Sequence, residues 1–197
     1  HQYHGELEVL ESERSDHILD GCHFGGRIWW CDDFRRQNGH HQNHPAVCVV
    51  HRLLITAGGC SLFAGITHLA IIAGGPAWYR FFGAGEGMAQ MAEAGSHQPA
   101  IMTAGIALVL ILWGVFALSG AGLVAKLPLL RTALVAITSV YLLRAFAGFT
   151  LPFFIYHPAI QQNSISFWLI SSSICLIIGL LHLFGTIGLF HQINQRN

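Results

Sequence analysis

The sequence predicts an all-α membrane protein with four transmembrane helices in an antiparallel bundle. Two observations carry this. Only 10% of the 197 residues are charged and 53% are hydrophobic, whereas an ordinary soluble domain is about 25% charged. Beyond residue 49 the chain also runs through four successive apolar stretches. Each is about 20 residues or longer, the length that takes a helix across ~30 Å of hydrocarbon. Hydrocarbon cannot satisfy open backbone, so such stretches cross as helices rather than as isolated strands. The competing reading is a large soluble core, and about 150 residues are too few to cover four such helices.

The polar head, residues 1–48, comes first. It holds eight of the ten acidic residues and is rich in His, Trp and Cys. It has no helical or strand period and no apolar stripe, so disorder is expected. The chain begins with His rather than Met. The expectation is a missing or altered start, no signal peptide, and a head that need not be native to the membrane domain. His40, His41 and His44 imitate a metal tract but lack a fourth ligand at a clear spacing, so no metal site is assigned.

Residues 49–197 form the membrane domain, with spans at about 52–73, 100–124, 127–151 and 165–190. Span one carries two small-residue stripes, Cys60-Ala64-His68 and Ala57-Ser61-Gly65. Such stripes let helices approach closely in lipid. The loop 74–99 opens with the aromatic anchor Trp78 to Phe82, and Glu86 to Ala94 then suits a short surface helix. Glu86, Gln90 and Glu93 share one face of it, apart from Met88 and Met91. A tight turn around Ala125 and Lys126 joins spans two and three, with Pro128 in the first turn of span three. Pro152 and Pro158 mark the exit from that span. Span four carries Ser171, Ser172, Ser173, Cys175, Gly179 and His182, read mainly as packing and hydroxyl bonding.

Lys and Arg counts set the orientation. Arg35, Arg36, Arg52, Lys126, Arg131 and Arg196 fall on one side, and Arg80 alone on the other. Both termini are expected in the cytoplasm of a bacterium, with loops 74–99 and 152–164 in the periplasm. Trp78, Tyr79, Phe81, Phe82, Tyr156, Phe167 and Trp168 would form an aromatic belt there.

Ionisable groups within the spans are costly and are therefore candidate functional groups. They are His68, Arg144 and His182. His68 lies ~8 Å and Arg144 ~10 Å from the outer ends of their spans, whereas His182 lies ~12 Å from the inner end of its own. The two histidines therefore cannot ligate one haem iron. Tyr141 is i−3 from Arg144 and shares its face. The candidate ligand-binding set is His68, Tyr141 and Arg144, with Glu86 or Glu93 from the loop neutralising Arg144. Snorkelling of Arg144 to the interface is the alternative. No cysteines form a CxxC pair, so no disulfide framework is expected. No Ser-His-Asp set, intramembrane carboxylate pair, P-loop or GxGxxG occurs, and no basic patch suits nucleic acid.

The stretches GPAWYRFFGAGEGMAQMAEAGS and LPLLRTALVAITSVYLLRAFAGF resemble small bacterial membrane proteins. The order of elements around them resembles the DoxX-like four-helix proteins. That resemblance covers about residues 50–190 and implies a four-helix fold and an association with quinone-linked redox complexes. It assigns no functional residue. The leading expectation is a non-enzymatic accessory or assembly subunit of a membrane complex. The alternatives are a small transporter or lipid/quinone binder with an outward-facing polar pocket, and a membrane redox component. No cofactor is expected. The expected partners are the lipid bilayer and either other membrane subunits or a second copy.

Overall fold

The computed structural model describes residues 44–155, 157, 160 and 163–194. The chain divides into two units, His1–His44 and Pro45–Asn197. Almost all of the first unit, with the expectations of disorder and of a histidine tract, lies outside the described residues. So does Tyr156. The second unit is helical, with no strand among the described residues. Its helices are α1 (His44–Phe81), α2 (Glu86–Glu93), α3 (Gln98–Gly120), α4 (Leu130–Phe154) and α5 (Ile165–Asn194). All but α2 are long and apolar enough to cross a membrane.

Side chains are sorted as hydrocarbon demands. Phe63 is 73% exposed, Leu143 67% and Phe146 69%, all on outer faces. The interior holds small and polar groups instead: Ser61, Ser119, Ser172 and His182 are wholly buried. In water an apolar surface of this extent would be an association liability. In lipid it meets its own kind, and exposed hydroxyls such as Thr67, Ser139 and Ser173 bond to carbonyls of their own helices.

The four long helices close into a ring in the order α1, α3, α4, α5. Small residues set the register. Gly58 of α1 faces Gly114 of α3, and Gly65 faces Ala107 and Ile111. Partner numbers fall as α1 numbers rise, so this pair is antiparallel. Gly185 and Gly188 of α5 meet Leu54 and Val50 of α1, again antiparallel. Between α4 and α5, Gly148 meets Ser172, and Gly179 meets Tyr141 and Leu142. Leu54, Ala117, Leu134 and Leu189 fill the core at one end of the ring.

Three boundaries differ from the sequence reading. α1 starts at His44, inside the polar head, and resumes after a break at Gly75 (φ 67°) to run on to Phe81. Only glycine adopts that backbone cheaply. Pro76, whose N–H is missing, follows in the first turn of the resumed segment. α3 stops at Gly120, and residues 121–129 form a longer connection than a tight turn. Gly122, at φ 74°, ends the helix with its N–H donating to Ser119 O. The Ser119 hydroxyl donates to Ala125 O (2.9 Å) and accepts from Leu127 N (3.1 Å), holding the loop. Pro128 therefore sits in the connection, ahead of α4. Leu129 caps α4 in the left-handed region at φ 56°, a conformation uncommon outside glycine.

α2 lies against the resumed end of α1. Ala89, Ile71 and Tyr79 are buried together, with Met88 and Ala92 packed on them. Tyr79, at 2% exposure, thus leaves the expected aromatic belt for the core.

Candidate functional site

A seam between α4 and α5 gathers most of the unusual polar groups. On α4, Tyr141, Arg144 and Gly148 fall at i, i+3 and i+7 and so share one stripe. On α5, Trp168, Ser172, Cys175, Gly179 and His182 recur every three or four residues and do the same, with Ser171 beside them. The two stripes meet because Gly148 and Gly179 bring the backbones close.

Arg144 lies near the middle of α4, ten residues before its end at Phe154, or about 15 Å of rise. α4 thus runs three residues beyond the span end at 151 expected from the sequence. The guanidinium carbon stands 5.2 Å from the centre of the Trp168 ring. Nη2 points at Ser171 Oγ at 3.5 Å, a long contact. Nη1 is buried with no hydrogen-bond partner among the described residues. A desolvated cation on Trp gains about 2 kcal/mol, less than the several kcal/mol that burying an ion costs. No Asp or Glu occurs anywhere after Glu93.

The two loop carboxylates take another partner. Arg80 Nε and Nη2 donate to Glu86 (2.9 and 2.7 Å), and Nη1 donates to Glu93 (2.7 Å). Gln90 Nε2 donates to Glu86 Oε1 at 3.4 Å, one turn along the same face of α2. The break at Gly75 explains the choice of Arg80, because the resumed helix carries that residue under α2. The hydrogen bonds from Arg80 hold both glutamates below the usual carboxylate range.

Tyr141 is buried deeper in the ring. Its hydroxyl and that of Ser61 are 2.9 Å apart, tying α4 to α1. Its ring lies 5.1 Å from Trp113 and 5.3 Å from His182. His182 Nδ1 donates to Ile178 O at 3.0 Å, since a carbonyl can only accept. Its Nε2 then carries the lone pair and has no partner among the described residues. His68 donates likewise from Nδ1 to Ala64 O at 2.8 Å, within its own helix. The five candidate residues thus occupy distinct places. Tyr141 and Arg144 belong to the α4 stripe, His68 to α1, and Glu86 and Glu93 to the Arg80 clasp.

Trp168, Ser172, Gly148 and Ser61 enter the site without having been singled out for it. Trp168 reads as a belt residue and the serines as packing. Their signal was the shared α5 stripe opposite a glycine on the stripe of Arg144. Cys60 and Cys175 pack around Tyr141 and Ile178. Among the described residues no three His, Cys, Asp or Glu stand together as a metal site.

Fold and seam together define a multi-pass helical membrane protein with a half-buried cation, Arg144, that no acid pairs among the described residues. Comparison with protein-family models, curated proteins and solved structures finds no match for this chain.

Proposed function

We propose that this is a non-enzymatic ligand-binding protein of a bacterial inner membrane, with both termini in the cytoplasm. It takes a small lipid-like molecule from the bilayer into the α4–α5 seam. The single observation behind this reading is Arg144, a half-buried guanidinium whose Nη1 is buried and unpartnered among the described residues, with no acid on its own or any later helix. Ionisable groups at such depth are rare and belong to functional sites by default. The bias of Lys and Arg supports the orientation. The DoxX-like order of elements supports a place near quinone-linked complexes by analogy only.

The test is purification in mild non-ionic detergent, followed by solvent extraction and mass spectrometry. The expected result is a stoichiometric lipid-soluble molecule that is lost in Arg144→Gln. Wild-type protein that releases nothing above detergent controls would rule the reading out.

A second reading, an accessory subunit, draws on Gly59 and Gly105. Both are exposed helix positions with open space where a side chain would stand, where another helix can approach. It predicts co-purification with larger subunits and tolerance of Arg144→Gln, which separates the two readings.

A further inference from the structure

We infer that residues 76–95 form a hinged cap, which swings as one body and governs access to Arg144 from the end of the ring where α4 stops and α5 begins. The cap is a property of the fold and needs no ligand in the α4–α5 seam.

The cap has its own core and its own staple. Tyr79 and Ala89 are buried, with Met88 and Ala92 packed on them. Among the described residues of that cluster, Ile71 alone lies outside 76–95. Arg80 bridges Glu86 and Glu93, all three within the same segment. Such a segment can move without melting, because these contacts travel with it.

A glycine stands at either end. Gly75 has φ 67° and ψ −152°, a region open essentially to glycine alone. Gly95 has φ 76°. A Cβ at either position would meet nothing within 4 Å, so neither is wedged by a neighbour. Hinges are a few such positions at the ends of elements, where backbone angles can change widely. Pro76 follows Gly75 and lacks the N–H that would otherwise join the cap to the helix ladder of α1.

The latch lies on α5 and the residues just before it. Asn163 Nδ2 donates to Gly83 O at 2.9 Å. Gly83, at φ 72°, lies so close to Phe167 that a Cβ there would collide with the ring. Phe167 stands edge-on to Trp168 at 6.2 Å, and the Arg144 guanidinium carbon lies 5.2 Å from the centre of the Trp168 ring. A continuous row of contacts thus runs from the turn of the cap to Arg144. The shut position also leaves the Tyr79 hydroxyl buried with no partner among the described residues. An unpaired buried hydroxyl is costly. Moving off Ile71 would admit water to that core and relieve it.

Spin labels at Gly87→Cys and Ser173→Cys, in the full chain with its five cysteines replaced by serine, report the distance from cap to α5. Both positions are exposed. Asn163→Ala should add a longer-distance population. So should Gly75→Ala, which denies the hinge its shut backbone and serves alone if the first variant does not fold. Phenylglyoxal modification, read by peptide mass spectrometry, should reach Arg144 about three- to tenfold faster in Asn163→Ala, the effect of one hydrogen bond on a two-state equilibrium. Exposed Arg131 should react at an unchanged rate. Amide exchange over residues 86–93 should stay slow in Asn163→Ala, in contrast to Arg80→Gln. Unchanged distances in both variants would overturn the hinge. Longer distances with unchanged Arg144 modification would overturn its control of access. Exchange rising in step with modification would mean that α2 melts rather than swings, and would overturn motion as one body. No ligand enters these measurements, so they stand or fall apart from the extraction experiment.

Discussion

Tyr141 shows how a polar side chain is accommodated where water is absent. Its ring packs on Trp113 and His182, and its hydroxyl is shared with Ser61 at 2.9 Å. Hydrogen bonds between membrane helices contribute about 0.6 kcal/mol on average, with a maximum near 1.7. Tyr141→Phe should therefore destabilise the bundle by about 0.5–1.5 kcal/mol, measured by denaturation in detergent. Ser61→Ala should cost a similar amount, and the double variant no more than either alone. Strict additivity of the two would mean that the bond contributes nothing. Gly114 and Gly105 make a second contrast on one helix. A Cβ on Gly114 would stand 2.9 Å from the Gly58 carbonyl oxygen, which is backbone and cannot turn aside, whereas at Gly105 it meets nothing. Gly114→Ala should lower stability. Gly105→Ala should leave it unchanged or raise it by about 0.5–1 kcal/mol through helix propensity. Equal effects in the same unfolding assay would contradict this packing of α3 on α1.

At the scale of an element, α2 is the informative case. Eight residues are too few for a helix to persist alone in water. Ala89, Met88 and Ala92 anchor one side, and Arg80 bridges Glu86 and Glu93 on the other. All three charged groups are well exposed, so the clasp positions the helix more than it stabilises the protein. Its pH dependence has a definite sign. Both glutamates are held below their usual pKa of about 4.3, so their contribution is complete above that value. It is lost as pH falls through the lowered native values. Amide exchange in residues 86–93 should thus rise relative to α3 once the pH drops below about 4. In Arg80→Gln the protection should be weak already at neutral pH, with no further step in acid.

The second unit is a ring of four long helices with large apolar side chains outside and Ser61, Ser119, Ser172 and His182 inside. That arrangement predicts a simple labelling pattern. With Cys22, Cys31 and Cys48 replaced by serine, Cys60 and Cys175 should resist a membrane-impermeant maleimide in intact vesicles. They should react fully after denaturation in detergent. Rapid labelling without detergent would place these helices outside the bilayer. The ring also explains why α4 is the helix that carries the candidate site. It packs far more extensively on α5 than on α3, and Ser172 and His182 on that seam are wholly buried.

The amino-acid sequence by itself determined the number of spans, their helical character and the amphipathic helix between the first two. Each rests on a local requirement: the thickness of hydrocarbon, the need to satisfy backbone in lipid, and the spacing of Glu86, Gln90 and Glu93. Which faces of the spans meet was decided only by the tertiary structure. In a soluble helix the polar side announces the outside, but here both sides of a span are apolar and the contrast vanishes. The partner of the loop glutamates was hidden for a related reason. Arg80 reaches them through the backbone break at Gly75, and a hydropathy pattern carries no record of direction. Arg144 was visible as a charge out of place. That it packs beside Ser172 depends on the absence of a side chain at Gly148, a fact of packing between two helices that sequence distance does not encode.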